Sequence, residues 1–253
     1  VFDAMLPLYR DGYGNPSSVH SEGRVARVHL DEAREQVADF VGAHSNEIIF
    51  TSGGSESNNF AVLGATFAPW NKKNHIVTCQ VEHSAILNPL KQLEGLGYQV
   101  ERLSVDGVGR VDPEKVKSSL KESTFLVTIQ HANSEVGTLQ DIKEIGDYVR
   151  GKGILFHTDA VQSVGKMPVN VSNLPVDLLS ISSHKIYGPK GVGALYIRRE
   201  IQTDIEPLIY GGSQQNGLRS GTIPTPLCVG MGAAASLLRS NEVREKRKKL
   251  KAI

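Results

Sequence analysis

Three short stretches bring together residue types that could act on one ligand. In "SISSHKIYGPKG" (180–191), Lys185 follows an apolar run and precedes a Gly/Pro-rich loop. Residues 177–181 read as a buried strand, which leaves Lys185 at its carboxyl end, where open α/β sheets collect their ligands. In "FHTDAVQSVG" (156–165), a second apolar run ends on Asp159. A carboxylate buried there needs a cation or strong donors, and a protonated pyridine nitrogen is such a cation; a cap on the next helix is the other reading. Gln162, three residues on, reaches a ring oxygen if the turn folds back. In "TSGGSESNNFAVLG" (51–64), Gly53 and Gly54 permit close backbone approach and Ser55 places a hydroxyl near a helix N-terminus, which suits an anion. The stretch has neither GxxxxGK(S/T) nor GxGxxG spacing, so a small phosphate fits it better than a dinucleotide. A Ser-capped helix after a glycine turn is the plain alternative.

A lysine amine, an acid for a pyridinium and a phosphate cradle are the three needs of a pyridoxal phosphate site, and they occur here in one chain. His83 in "QVEHSAILNPL" lies just past the strand ending at Cys79. An imidazole there could stack on a ring and move protons, or serve only as a loop or cap residue. Asn133 in "HANSEVGTLQ" follows the strand expected at 125–130 and can bond a ring or substrate oxygen, while Glu135 and Gly137 shape the turn.

The elements that must position these groups alternate along the chain. Strands are expected at 47–51, 75–79, 98–103, 125–130, 154–158, 177–181 and 193–198. Helical patterns fall at 56–67, 84–95, 112–121 and 140–151, and the last two strands are joined by a loop. Upstream, Val25, Val28, Ala33, Val37 and Phe40 recur at helical spacing, and "VFDAMLPLYR" reads as an amphipathic helix met in its middle. The alternation predicts an α/β fold with a mostly parallel sheet covered on both faces. The stretch 241–253 reads as a basic, helix-like tail, most simply a solvated face.

Composition excludes several function classes. Lys and Arg number 28 against 27 Asp and Glu, so no global field favours nucleic acid or an anionic membrane. No apolar run approaches a membrane span. The two cysteines, Cys79 and Cys228, lie far apart without CxxC spacing, so neither a disulfide framework nor a metal cluster is indicated. A reducing compartment is expected: cytoplasm, or an organellar matrix in a eukaryote.

The ordered set "NPSSVHSEG" (15–23), "TSGGSESNN", "VEHSAI", "HANSEVGTLQ", "HTDAVQ", "SSHKIYGPKGVGALYIR" and "YGGSQQNGLRSGT" (210–222) closely resembles the NifS/IscS-type cysteine desulfurases. These are pyridoxal-phosphate enzymes grouped with the class V aminotransferases. The resemblance implies a fold-type I large domain over 1–238, with 239–253 beginning a small C-terminal domain. It makes Lys185 the lysine that holds the cofactor as an imine, Asp159 the pyridinium partner, Gln162 the donor to the ring hydroxyl oxygen and His83 the stacked ring. Gly54, Ser55, Ser182 and His184 match phosphate-holding positions, Ser55 replacing the more usual threonine. Asn133 matches a residue near the cofactor and the substrate carboxylate. Thr222 matches one that reaches the phosphate of the neighbouring subunit, which implies a homodimer.

The implied reaction removes sulfur from L-cysteine, giving L-alanine and an enzyme-bound persulfide. The sulfur then passes to an acceptor or iron–sulfur scaffold protein, or to tRNA thiolation. In the family, the sulfur-accepting cysteine loop and the arginine that clamps the substrate carboxylate belong to a C-terminal region expected beyond Ile253. The segment completing the small domain is expected before Val1. Cys79 and Cys228 read as core residues and do not fill the role. The same scaffold also admits a selenocysteine lyase, another class V enzyme, or a catalytically silent cofactor-binding scaffold.

Overall fold

The computed structural model describes residues 1–240 and Val243. The basic tail expected at 241–253, and with it most of the stretch 239–253, lies outside the described residues. Two helices, α1 (Phe2–Arg10) and α2 (Ser21–Val41), precede the first strand, β1 (Ile48–Thr51). There follow α3 (Gly54–Phe67), β2 (His75–Cys79), α4 (Ser84–Gly95), β3 (Gln99–Leu103), α5 (Pro113–Ser119) and β4 (Thr124–Thr128). The remainder is α6 (Ile142–Gly151), β5 (Leu155–Asp159), β6 (Leu178–Ser182), β7 (Gly193–Ile197) and α7 (Thr225–Arg239). The strands form one sheet in the order β1-β7-β6-β5-β4-β2-β3.

Every pairing is parallel except those of β7, which runs antiparallel to both β6 and β1. The mostly parallel sheet expected from the alternation is therefore present, with one reversed strand. The reversal follows from the loop that joins β6 to β7: a return of about ten residues is too short for a helical crossover, which needs a dozen or more. Six strands thus point their carboxyl ends to one edge of the sheet.

Both faces are buried, and strand residues alternate between two cores. Val77, Val127, Phe156 and Leu179 face one core, and Ile76, Leu126, Leu178 and Leu195 the other. The first core includes Val37 and Val41 of α2 and Met231 of α7, the second Phe60 and Val62 of α3 and Ile86 of α4. The continuous apolar strands in the sequence are those of a sheet covered on two sides.

The buried stripe of α2 keeps Ala33 and Val37 as expected and departs from the expectation in its first half. Val25 and Val28 are 51% and 54% exposed. The buried stripe is Gly23, Ala26, Leu30, Ala33, Val37 and Val41, spaced three or four apart. Small residues carry it because α7 approaches closely: a Cβ on Gly232 would meet the Ala33 backbone at 2.9 Å. α2 ends at Gly42, whose φ of 70° is the usual left-handed stop.

His157 stitches three strands together: its Nδ1 contacts Thr128 Oγ1 at 2.8 Å and its Nε2 contacts Ser180 Oγ at 3.0 Å. Burial keeps its imidazole neutral down to about pH 3. An unfolded histidine takes up a proton near pH 6.5, so between about 6.5 and 3 the unfolded state binds more protons and stability falls as the pH is lowered. Urea unfolding of wild type should lose about 1.4 kcal/mol per pH unit more than that of His157→Gln between pH 6 and 4. Equal slopes would mean that the folded protein protonates His157.

Candidate active site

Five parallel strands deliver side chains to one cavity of about 370 Å³ at the carboxyl edge of the sheet. β1 leads into Gly54 and Ser55, β2 into His83, and β4 into Gln130. β5 ends on Asp159 and is followed by Gln162; β6 ends on Ser182 and is followed by His184 and Lys185. Lys185 is exposed on a single 3-10 turn, Ser183–Ile186. The turn is closed by Tyr187 at φ 65°, left-handed backbone that a bulky residue seldom adopts. Its ends are fastened by the Ser183 N–H donating to Val192 O at 3.2 Å and the Gly188 N–H to Ser183 O at 3.0 Å.

Asp159 is 7% exposed. Its Oδ1 accepts from the Val161 N–H at 2.9 Å and its Oδ2 from Asn58 Nδ2 at 2.7 Å. Loss of hydration on burial raises its carboxyl above the ordinary aspartate range, and those donors together with His83 only partly offset this. No Lys or Arg pairs with Asp159 among the described residues, so the cavity holds a buried acid that a cation would complete. Asn58 Oδ1, also buried, has no partner.

The start of α3 forms the cradle. A Cβ added at Gly54 would lie 2.8 Å from Val161 Cγ2 and 3.4 Å from Ser182 Cβ, so only glycine leaves this corner open. A Cβ at Gly193 would meet the Gly53 backbone at 2.7 Å, which shows how closely β7 presses the cradle from behind. Ser182 Oγ and His184 Nδ1 are 3.0 Å apart, and burial followed by the charges of Lys185 and Lys190 holds the His184 imidazole below its ordinary value. A phosphate-sized anion fits this set: open backbone at a helix N-terminus, two hydroxyls and an imidazole.

His83 is both a cap and a lining residue. Its Nδ1 accepts from the Ala85 N–H at 3.1 Å at the start of α4, which fixes the neutral tautomer with the proton on Nε2. Lys166 Nζ donates to Gln162 Oε1 at 2.5 Å, leaving the Gln162 amide NH₂ to donate to a ligand oxygen.

Two expected residues stand outside the cavity wall. The Asn133 side chain is taken up in its own turn: Nδ2 donates to Val81 O at 3.2 Å, while Oδ1 accepts from the N–H groups of Glu135 and Val136. Thr222 is exposed on the loop before α7, away from this cavity. Arg219 ties that loop to α3 through a bidentate pair with Glu56, at 2.8 and 3.2 Å. Cys79 and Cys228 are both buried. Desolvation raises both thiols, that of Cys228 to about 12, so neither has the thiolate character of a nucleophile.

Sequence reasoning missed Asn58, Gln130 and Lys166. A signal for Asn58 existed, since it lies four residues after Gly54 and therefore on the same helical face. A second cleft of about 410 Å³ runs along the free edge of β1. There Arg34 and Gln215 are spent on the β1 backbone, Arg34 donating to Ile48 O and Gln215 pairing with both the N–H and the carbonyl of Phe50. That cleft protects a sheet edge and gathers no comparable chemistry.

The class-V aminotransferase model matches residues 1–253. The chain is 53% identical over 237 residues to a cysteine desulfurase IscS of Dictyoglomus turgidum, covering 94% of this chain and 60% of that protein. It is 50% identical to a probable mitochondrial cysteine desulfurase of Dictyostelium discoideum, covering 94% and 53%. Among solved structures, a NifS-like protein matches at TM-score 0.91 and 40% identity, covering 98% of this chain and 66% of its own. A structure titled "SspA in complex with cysteine" matches at 0.91 and 41%, covering 99% and 73%. The chain thus spans little more than half the length of these curated relatives. The cofactor of these enzymes is pyridoxal phosphate, whose phosphate, ring oxygen and ring nitrogen the cradle, Gln162 and the unpaired Asp159 suit. With the family model matching the whole sequence and the fold and cavity of the described residues in agreement with it, the chain belongs to the class-V aminotransferase family of pyridoxal-phosphate-dependent enzymes.

Proposed function

We propose that the chain is the cofactor-binding large domain of a cysteine desulfurase, residues 1–238, with 239–253 beginning its small domain. The observation that carries this reading is a buried acid without a cation, Asp159, in the same cavity as a free lysine, Lys185. Identity to named cysteine desulfurases supports the choice of reaction.

When bound, pyridoxal phosphate supplies an electrophilic carbonyl and a protonated ring that draws electrons from the substrate. Asp159 would hold the ring nitrogen and favour its protonated form, because a carboxylate in contact favours the charged form of its partner. Lys185 would hold the cofactor through Nζ and would be placed to move a proton at the substrate carbon. His83 lines the cavity and would flank the ring, with Nε2 as the nitrogen free to carry a transferable proton. Gly54, Ser55, Ser182 and His184 bind the phosphate, and Gln162 donates its amide to the ring oxygen. Asn133 acts through its turn, setting the wall near the substrate carboxylate.

The sulfur leaves to a thiolate outside the described residues, since both cysteines here are buried and held as thiols. In this reading the protein is a homodimer in which Thr222 reaches the partner's phosphate, and it hands sulfur to an acceptor or iron–sulfur scaffold protein. No described helix is long and apolar enough to cross a membrane. In this reading its compartment is the cytoplasm, or an organellar matrix in a eukaryote, the latter supported by relatives named mitochondrial and mitosomal.

The test uses the full-length protein, with L-cysteine added to the yellow enzyme and alanine and protein-bound sulfane sulfur assayed together. Alanine and bound sulfur in equal amounts are expected. A colour change with pyruvate and ammonia in place of alanine would overturn the reading.

A further inference from the structure

One buried acid beside the cavity has no part in these roles. Glu82 is 6% exposed and precedes His83, between the carboxyl ends of β2 and β4. Its Oε1 accepts from the Gln130 N–H at 2.7 Å and from the Cys79 thiol at 3.0 Å. Its Oε2 is buried without any partner, and no Lys or Arg pairs with it among the described residues. A carboxylate so placed would be an uncompensated buried charge, and a proton on Oε2 removes it. Burial raises the Glu82 carboxyl to about 8, and the neighbouring Asp159 pushes the same way. The loop that carries Glu82 is fastened to the end of β4 by two further bonds, both to Val81 O: Gln130 Nε2 at 2.7 Å and Asn133 Nδ2 at 3.2 Å.

We infer that Glu82 is a positioning residue kept as a neutral acid, which clamps loop 80–83 to β4 so that His83 faces the cavity while Asp159, and not Glu82, carries the negative charge buried at its wall. The inference rests on the pyridoxal phosphate site read above and adds a residue to it. The clamp needs an acceptor at Oε1, and the charge pattern needs a neutral group at Oε2. Glutamine supplies both; alanine is uncharged but leaves the clamp without its acceptor. The titratable groups that bear on Glu82 are the Cys79 thiol and Asp159, and neither offers a compensating cation.

The test takes Glu82→Gln and Glu82→Ala in the full-length protein. The infrared difference spectrum of cofactor-free wild type minus Glu82→Gln at pH 7 should carry the carbonyl stretch of a protonated carboxyl. Titration with pyridoxal phosphate should give an unchanged dissociation constant for Glu82→Gln and one weakened roughly ten- to hundredfold for Glu82→Ala. A carboxylate band in the difference spectrum, or a Glu82→Gln variant that binds as poorly as Glu82→Ala, would overturn the inference. The spectrum decides even where Glu82→Ala does not fold. Failure of wild type itself to bind pyridoxal phosphate would sink the site assignment, and the spectrum of Glu82 would still be read separately.

Discussion

Lys185→Ala should reduce turnover by about 10²–10⁴-fold while leaving the cofactor-free fold intact, a split that follows from where the side chain lies. Lys185 is exposed on its turn and belongs to neither core. Removing it costs within about 0.5 kcal/mol, as surface substitutions do. It also relieves Lys166, whose ammonium is destabilised first by partial burial and then by the charge of Lys185. Pyridoxal phosphate should still enter the cradle, held by phosphate and ring contacts alone. The checks are borohydride trapping, which should fix cofactor to wild type and not to the variant, and thermal melting of both without cofactor. Turnover within tenfold of wild type would remove Lys185 from the chemistry.

Asp159→Asn should act in opposite directions on the empty and the loaded protein. Without cofactor, burial has already raised the Asp159 carboxyl, so a neutral amide relieves a destabilising charge. The neighbour can adjust: Asn58 has its Oδ1 unpartnered, and an amide flip would let it accept from the new NH₂. The melting temperature of the empty variant should therefore equal or exceed that of wild type. With cofactor, the substitution removes one member of a buried charge pair, a loss of about 3–5 kcal/mol, which is roughly 10²–10⁴-fold in affinity or turnover. Thermal melting and cofactor titration on one preparation measure both signs. Unchanged affinity and turnover in Asp159→Asn would show that the ring nitrogen is served by another group.

Residues close in sequence were easier to read than residues close in space. Runs such as Ile48–Thr51 and Thr124–Thr128 declare themselves as strands because both faces are buried, and Asp159 and Lys185 fall at strand ends by position alone. In the first half of α2 the stripe departs from the expectation, because Gly23 and Ala26 carry the contact there and a search for large apolar residues passes over them. Asn58 and Asp159 are joined by a bond across 101 positions, and Gln130 and Glu82 by one across 48. Nothing local to either residue signals such a partner. The reversed direction of β7 depended on connection length rather than on strand composition, which resembles that of its parallel neighbours.

The place of β7 between β6 and β1 has a consequence for biosynthesis. β1 is the first strand made, yet among the described residues its only strand partner is β7, and Thr51 pairs with Gly193, about 140 residues later. At roughly 5–20 residues per second, the ribosome leaves this apolar segment unpaired for on the order of ten seconds. The cradle at Gly53 and Gly54 is backed by the same strand and closed by Ser182, so it too is incomplete until the lysine turn has emerged. Cofactor capture is therefore a late event on the nascent chain. β1 is the stretch a chaperone would have to shield until then.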